Sequence, residues 1–320
     1  MDTDAEFMVM VTYRLFVIWN TAHRQQMTNT IQTISNNLLT VSIDPLGAQL
    51  WSVQDAEGTE YLWQGNPKYW ADRAINIFPY IARMTEKSYL LNGQKYQMDI
   101  HGFAKDTLFE ITSKEADRIT FKISDTPDTL KQYPFAFDFY ITYLLQNNAL
   151  KIEFKVINNS DTTMYFGVGG HPGFNVPLEE GLGFEDYYIE FSGENTSRRV
   201  IFSEDCFVMD GQFTDFKLNA DTKYTLHHDM FDEDAIILTD MPRQITLASD
   251  KGQKKIQVSY PDMDYLGLWH MPHTDAPYIC IEPWSSLPSR KGVIEDLAKQ
   301  ENLIALDAGA VYTNCWEIEI

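Results

Sequence analysis

The fold class is decided by the stretch Leu150-Lys151-Ile152-Glu153-Phe154-Lys155-Val156, in which apolar and charged side chains alternate without interruption. Successive side chains of a β-strand point to opposite faces, so a period of two predicts a strand with one face in the core and one in water. Strands with one buried and one solvent-exposed face are typical of antiparallel sheets. The stretch therefore predicts antiparallel β-structure.

The same period of two recurs along most of the chain, at residues 39–43, 119–123, 256–260 and 316–320. Short segments with the glycine, asparagine and aspartate residues of hairpin turns punctuate these runs, at residues 55–58, 92–93, 146–148 and 250–252. A helical period is confined to two short segments, 127–132 and 294–298. We therefore predict an all-β chain that folds as one large antiparallel β-sandwich.

Composition and charge restrict the class of partner. The chain has 320 residues, of which 44% are hydrophobic, and this is enough for a large core. A formal net charge of −21 argues against nucleic acid and anionic membrane surfaces as partners, because both attract clustered lysine and arginine. Cys206, Cys280 and Cys315 are odd in number and widely spaced, so they predict neither a disulfide framework nor a zinc knuckle. We expect a cytoplasmic protein that is a monomer or a homodimer.

Residues 1–26 differ from the rest of the chain. Their apolar segment, 7–19, is interrupted by Tyr13 and Arg14 and is too short to span a bilayer. The acidic start also lacks the positive region of a secretory signal. We interpret residues 1–26 as an extension and residues 27–320 as the domain, with Met27 as a candidate natural start. The less favoured alternative is a docking or swapped strand.

One histidine lies in a glycine-rich stretch, Tyr165-Phe166-Gly167-Val168-Gly169-Gly170-His171-Pro172-Gly173-Phe174-Asn175. Glycine permits φ > 0 and close backbone approach, and proline fixes φ, so we expect a rigid, irregular segment that places His171 for function. The alternative is an ordinary turn with a hydrogen-bonded histidine. His101 is likewise followed by a glycine and an aromatic residue.

Glu282 stands apart among the 46 acidic residues, because it ends the apolar run Tyr278-Ile279-Cys280-Ile281-Glu282-Pro283-Trp284. A period of two puts Cys280 and Glu282 on one face, with Trp284 as a wall. Partial desolvation raises the pKa of a carboxyl group and makes it a better base. The alternative is a glutamate at the rim of the fold, paired with an arginine.

The remaining histidines indicate no metal site, and the chain lacks the known cofactor-binding motifs. His227 and His228 lie in a polar stretch and are expected at the surface. His270 and His273 are separated by Pro272, and no strand or helix would aim both at one ion, so we expect no metal. The chain has no glycine-rich phosphate loop or nucleotide fingerprint, so we expect no cofactor.

Aromatic residues are dense in two regions. Trp63, Tyr69 and Trp70 precede Arg73, and Trp269 precedes His270. Flat rings stack on the apolar faces of sugars, while arginine, histidine and carboxylates bind the hydroxyl groups. Aromatic residues are more often part of a hydrophobic core. Their density here favours a carbohydrate ligand but does not establish one.

Taken together in order, five motifs resemble the aldose 1-epimerase (galactose mutarotase) family, and within it the branch called LacX-like. These motifs are Arg73 with Phe78-Pro79 and Arg83, His101-Gly102-Phe103, Tyr133-Pro134-Phe135, Gly170-His171-Pro172-Gly173-Phe174 and Ile281-Glu282-Pro283-Trp284. The resemblance covers residues 30–320. It implies a large antiparallel β-sandwich, the supersandwich of that family, which agrees with the period of two.

The resemblance also implies roles for individual residues. Glu282 resembles the general base of the family, and His171 resembles its general acid. The residues expected to bind the sugar are His101, Arg83, Arg73, Asp234, Lys105, Trp284 and Trp269. Asp232 is a close competitor of Asp234. Trp284 or Trp269 is expected to stack on the sugar through an exposed indole face at the pocket rim.

The implied activity is that of an aldose 1-epimerase on a free hexose, without cofactor or metal. Lys105 stands where relatives that use hexose 6-phosphate carry arginine, and Gly102-Phe103 follows His101 where galactose mutarotases carry two glycines. A hexose-6-phosphate 1-epimerase therefore remains an alternative, as does a non-catalytic protein that binds or senses sugars. A glycoside hydrolase would need two carboxylates that flank the bond, and only Glu282 is well placed.

Removal of residues 1–26 is expected to leave folding and activity unchanged, because the segment carries no period that matches the sandwich. A chain that starts at Met27 is to be compared with the full chain by thermal unfolding and by sugar turnover. A large fall in melting temperature would show that the extension contributes a strand.

Overall fold

The computed structural model describes residues 31–193, 196–218 and 222–320, and its regular structure is almost entirely β. The strands, in chain order, are β1 (Gln32–Ser35), β2 (Leu39–Asp44), β3 (Gln49–Asp55), β4 (Ala74–Ile77), β5 (Ser88–Leu91), β6 (Gln94–Gln97), β7 (Glu110–Lys114), β8 (Arg118–Ser124), β9 (Phe137–Gln146), β10 (Ala149–Asn158), β11 (Met164–Phe166), β12 (Gly169–Asn175), β13 (Tyr188–Phe191), β14 (Arg198–Phe202), β15 (Val208–Asp215), β16 (Lys223–Thr225), β17 (Ile236–Thr239), β18 (Gln244–Ala248), β19 (Ile256–Ser259), β20 (Tyr265–Trp269), β21 (Tyr278–Trp284), β22 (Ile304–Leu306) and β23 (Val311–Glu319).

Helical structure is limited to single turns in these residues. One α-helical turn, α1, spans Thr129–Gln132, and 3₁₀ turns lie at Thr85–Lys87, Ala104–Asp106, Phe184–Asp186 and His228–Phe231. Within the described part of the chain, none of these helices has the length or the apolar character needed to cross a membrane.

Two large antiparallel sheets dominate the fold. The nine-stranded sheet has the order β16-β13-β18-β19-β23-β10-β9-β8-β7, and the seven-stranded sheet has the order β15-β14-β17-β20-β21-β12-β4. Smaller sheets are formed by β1-β2-β3, β5-β6 and β11-β22. One hydrophobic core contains side chains of both large sheets, such as Phe154 of β10 and Ile281 of β21. The predicted all-β sandwich is confirmed.

The alternation that predicted β10 matches its position in the nine-stranded sheet. Leu150, Ile152, Phe154 and Val156 are each at most 1% exposed, whereas the charged residues between them face outwards. The strand pairs with β9 on one side and β23 on the other, so its backbone is fully paired while its outer face remains wet. Three of the predicted turns join β5 to β6, β9 to β10 and β18 to β19, and the fourth follows β3.

The seven-stranded sheet is different, because its central strands are buried on both faces. In β21, Ile279 and Ile281 enter the common core, whereas Cys280 and Glu282 point to the opposite face. All seven residues of β21 are buried, since loops cover that opposite face. A covered outer face provides a site where polar side chains are held by a sheet and shielded from water.

The prediction of irregular chain around His171 was wrong, because residues 164–166 form β11 and residues 169–175 form β12. The glycines of this stretch keep φ outside the left-handed region. They are needed for close approach: a Cβ atom on Gly170 would lie 2.5 Å from the ring of Trp316, and one on Gly173 would lie 3.2 Å from the ring of Trp70. Glycine here makes room for tryptophan rings against a regular strand.

Of the two predicted helical segments, the first contains α1 and the second was wrong. In the second segment the backbone hydrogen bonds go to β5. The Leu90 N–H donates to the Glu295 carbonyl, and the Leu297 N–H donates to the Leu90 carbonyl. Pairing with a neighbouring strand thus replaces the bonds that a helix would make within itself. The extension at residues 1–26 and the start at Met27 lie outside the described residues.

Candidate active site

A cavity of about 290 Å³ opens on the covered face of the seven-stranded sheet. Ligand pockets begin at roughly 300 Å³, so this space suits one small molecule. Eight of the nine predicted site residues line it, namely Glu282, His171, His101, Arg83, Asp234, Lys105, Trp284 and Trp269. Residues that are up to 201 positions apart in the chain, Arg83 and Trp284 at the extremes, therefore meet at one place.

Glu282 and His171 face each other across two neighbouring strands. The register of β12 and β21 pairs Gly169 with Trp284 and Gly173 with Cys280, and this places His171 opposite Glu282. The His171 Nε2 and Glu282 Oε2 atoms lie 3.2 Å apart. On the other side of β21, Gly267 pairs with Glu282, and a Cβ atom there would lie 3.2 Å from the glutamate Cβ. The pairing of these strands thus fixes the positions of the Glu282 and His171 side chains relative to each other.

Burial shifts the pKa values of both groups. Glu282 is 1% exposed and His171 is 8% exposed. Desolvation, with a further contribution from Asp234, raises the pKa of the Glu282 carboxyl well above its usual value. Desolvation lowers the pKa of His171 to about 4. Both shifts favour the neutral forms of the two groups, a protonated carboxyl and an imidazole with one N–H.

The pair has unused hydrogen-bonding capacity. Although Nε2 and Oε2 are within ion-pair distance, their alignment does not make a hydrogen bond, and Glu282 Oε2 and His171 Nδ1 have no partner among the described residues. A buried polar atom without a partner costs about 1–3 kcal/mol, so both atoms are available to bind a polar group that enters the cavity.

Aromatic rings hold His171 from two sides. The Trp70 ring lies 4.8 Å from the imidazole at an interplanar angle of 32°, and the Trp269 ring lies 5.7 Å away at 79°. Trp70 also lines the cavity, although the resemblance had not assigned it a role. The dense aromatic run before Arg73 was the available signal for it.

His101 presents a defined donor to the cavity. The backbone N–H of Ala82 donates to His101 Nδ1 at 3.2 Å, so in the neutral ring the proton is assigned to Nε2. Burial is the main cause of a pKa well below the ordinary value, and the positive charges of Lys105 and Arg83 lower it further. His101 is therefore a neutral imidazole at physiological pH.

The polar side of the cavity carries both signs of charge. Arg83 Nη1 lies 3.3 Å from Asp234 Oδ2, with the two side chains 42% and 24% exposed. Lys105 contacts the carboxylate of Asp106. Asp72 also lines the cavity. The two cations are thus accompanied by carboxylates of the chain itself.

The geometry separates Asp234 from its competitor Asp232. Asp234 lines the cavity, whereas Asp232 Oδ1 accepts a hydrogen bond from the His273 N–H at 3.0 Å on the outer surface. His228, which was expected at the surface, is half-buried and contacts the fully buried His270, with 3.1 Å between their ring nitrogens. His227 is exposed as expected.

Arg73 does not line the cavity, contrary to the prediction. Its guanidinium donates to the Trp51 carbonyl and to Gln64 Oε1, and it lies 3.8 Å from the centre of the Trp51 ring. These contacts bind the side chain outside the cavity. Trp284 does line it, but as a buried wall that is 3% exposed, and not with an open indole face at the rim.

Within the described residues, one group has the donor types and spacing of a metal site. The ligand atoms of His171, Cys280 and Glu282 all lie within 4.8 Å of one another. His270 and His273 are not part of it, since they contact His228 and Asp232 instead. The cysteine is completely buried, whereas the other two residues line the cavity and face each other at 3.2 Å.

Comparison with known proteins gives a consistent set of similarities. The family model described as aldose 1-epimerase matches residues 30–307. Protein LacX of Lactococcus lactis subsp. lactis, in its plasmid form, is 32% identical over 285 residues, which cover 86% of this chain and 95% of the relative.

Two solved structures have the same fold. One is a galactose mutarotase related enzyme from Lactobacillus acidophilus, with 33% identity, a TM-score of 0.85, and coverage of 91% of this chain and 97% of that chain. The other is a galactose mutarotase-like protein from Lactobacillus casei ATCC 334, with 30% identity, a TM-score of 0.85, and coverage of 90% and 99%.

The imidazole of His171 is expected to stay neutral across the neutral pH range. Burial disfavours the imidazolium, so the pKa falls, and the ring gains its second proton only in acid, below the ordinary value of about 6.5. NMR titration with labelled histidine is the measurement, and His171→Asn assigns the signal. A His171 signal that titrates at or above the ordinary value would contradict this description of the site.

Proposed function

Because the chain belongs to the aldose 1-epimerase family, we propose that it interconverts the α and β anomers of a free hexose. The observation that supports this most strongly is the buried pair of Glu282 and His171, opposed at 3.2 Å in a cavity of the size of one small molecule. Anomer exchange needs one group that takes a proton and one that gives a proton, and it needs nothing else.

In the proposed reaction the Glu282 carboxylate takes the proton from the anomeric O1 hydroxyl, while the His171 imidazolium gives its proton to the ring oxygen. The bond between C1 and the ring oxygen breaks as the C1–O1 double bond forms, which leaves the open-chain aldehyde. Rotation about C1–C2 presents the other face of the carbonyl. Ring closure then returns both protons, so the enzyme is regenerated without any co-reactant.

In the reactive form the carboxyl proton has moved to His171, which makes Glu282 a carboxylate and His171 an imidazolium. Burial favours the neutral arrangement, in which the proton lies on Glu282. Transfer across the 3.2 Å gap creates a carboxylate and an imidazolium without any change in net charge, and their attraction offsets part of the desolvation cost. Sugar hydroxyl groups then donate hydrogen bonds to Glu282 Oε2, which has no partner among the described protein groups.

Other cavity residues have roles in binding. His101 donates from Nε2 to a sugar oxygen, and Arg83 with Asp234 provides a donor and an acceptor for neighbouring hydroxyl groups. Trp70 and Trp269 flank the imidazole and provide flat apolar surface for the C–H face of the ring.

The charges of the cavity favour a neutral sugar. Arg83 and Lys105 each contact a carboxylate of the chain, so neither is an uncommitted cation for a phosphate group. Phosphate recognition favours several cationic donors in bidentate geometry. The presence of two cations in the lining nevertheless makes hexose 6-phosphate the second candidate substrate.

Glu282→Gln is expected to lower kcat roughly 10²- to 10⁴-fold, the usual contribution of one positioned proton-transfer group. His171→Asn is expected to have a similar effect, because the ring oxygen loses its proton donor. Sugar affinity should change much less, since both substitutions keep hydrogen-bonding groups. The measurement is polarimetry of freshly dissolved α-anomers, with binding measured by calorimetry.

Glu153→Gln and His227→Asn are matched controls, because they make the same chemical changes at side chains of the outer surface. The double variant should be little slower than the slower single variant, since the pair acts as one unit. Activity should also survive exhaustive dialysis against a chelator. Wild-type rates in Glu282→Gln, or loss of activity on chelation, would contradict the proposed mechanism.

Neutral hexoses are expected to have a higher kcat/KM than glucose 6-phosphate at equal ionic strength. Lys105→Gln removes one cation and keeps much of the side-chain length, so it should change turnover of glucose and galactose little. If glucose 6-phosphate were greatly preferred, and if Lys105→Gln abolished that preference, the substrate would be the phosphorylated sugar.

A further inference from the structure

A cysteine lies among the polar residues of the cavity, where no proton-transfer role needs it. Cys206 is in the loop between β14 and β15, is half-buried and lines the cavity. Its thiol donates a hydrogen bond to Asp234 Oδ2, the same oxygen that lies 3.3 Å from Arg83 Nη1. The cysteine is thus the third member of a contact set that includes two proposed sugar-binding residues.

The backbone at both ends of this thiol–carboxylate contact is unusual. Cys206 has a φ of 65° and Asp234 has a φ of 72°, so both occupy the left-handed region, although neither is glycine. Such conformations persist where the surrounding structure holds them, and they cluster at functional sites. The N–H groups of Cys206 and Asp234 donate to the carbonyls of Ser203 and Phe231 at 2.8 and 2.9 Å. Two constrained loops therefore present these side chains to each other.

The contacts of the Asp234 carboxylate show what the thiol contributes. Oδ1 accepts from the Ala235 N–H at 2.9 Å, which fixes one oxygen relative to the start of β17. Oδ2 accepts from Cys206 and from Arg83. Without the thiol, Oδ2 would keep only the 3.3 Å contact to the half-exposed Arg83 among the described residues. The donor on the opposite loop therefore restricts rotation of the carboxylate.

A protonated thiol is required for this contact. Burial, followed by the neighbouring Asp234 carboxylate, raises the pKa of Cys206 to about 11. The group is therefore a hydrogen-bond donor at physiological pH and a poor nucleophile. A structural donor explains its surroundings better than a reactive sulfur does.

We infer that Cys206 is a positioning residue for sugar recognition: its thiol holds Asp234, and through it Arg83, in the orientation that binds the hydroxyl groups of the sugar. This inference rests on the proposed function and extends it to a residue that contributes to specificity. Cys206 takes no part in proton transfer, so its loss affects recognition and leaves the chemical step intact.

The first test compares Cys206→Ala with Cys206→Ser. The alanine variant loses the donor and is expected to raise KM about 3- to 10-fold, the effect of one hydrogen bond, with kcat within about twofold of wild type. The serine variant keeps a donor and is expected to restore a KM close to that of wild type. Thermal unfolding of both variants shows whether the fold is retained. Equal KM values in the two variants, or a fall in kcat with KM unchanged, would overturn the inference.

The second test measures alkylation of the thiol and does not depend on turnover. Iodoacetamide labelling, followed by peptide mass spectrometry, reports Cys206 and Cys315 in one experiment, and Cys315 lies on the nine-stranded sheet as an internal control. Labelling of Cys206 should be slow, should become severalfold faster in Asp234→Asn, and should slow further with saturating hexose. Labelling of Cys315 should be the same in all three conditions.

The two tests separate failure of the inference from failure of the proposed function. If Asp234→Asn leaves the labelling rate of Cys206 unchanged, the thiol–carboxylate contact is not made and the inference is wrong. Labelling of Cys206 that is faster in Asp234→Asn and slower with hexose supports the positioning role. If the wild-type protein then catalyses no anomer exchange, the chain is a sugar-binding protein and the enzymatic proposal fails.

Discussion

The site depends on one constraint. A carboxyl group and an imidazole are held face to face on adjacent strands, on the side of a sheet that is shielded from water. The pairing of β12 with β21 sets the separation of Glu282 and His171 at 3.2 Å. Gly267 leaves space on the next strand, where a Cβ atom would crowd the glutamate. The loops above complete the burial that shifts both pKa values towards neutral forms.

This arrangement opposes stability, and the size of the sandwich compensates for it. Leaving the hydrogen-bonding capacity of Glu282 and His171 partly unused costs about 1–3 kcal/mol for each buried atom. A core that spans a nine-stranded and a seven-stranded sheet tolerates such a cost. The outer face of the smaller sheet can therefore carry buried polar side chains around a cavity, while the face towards the larger sheet remains apolar.

The sequence predicts the strands with one solvent-exposed face well and the strands that carry the cavity residues less well, for a physical reason. β10 alternates because one of its faces meets water, whereas β12 and β21 are buried on both faces and carry glycines or continuous apolar residues. Arg73 was assigned from a motif, yet its guanidinium is bound by Trp51 and Gln64, which no local pattern shows. Cys206 was missed because its partner, Asp234, comes from a distant loop.

We propose that this buried pair interconverts sugar anomers, and saturation-transfer NMR on the wild-type protein is the most direct test. Saturation of the α-anomer H1 signal of glucose or galactose should reduce the β-anomer signal when a catalytic amount of protein is present, at a rate above that of buffer alone. Glu282→Gln should return the transfer to near the buffer rate. Sugar binding without any transfer across a panel of aldoses would contradict the claim.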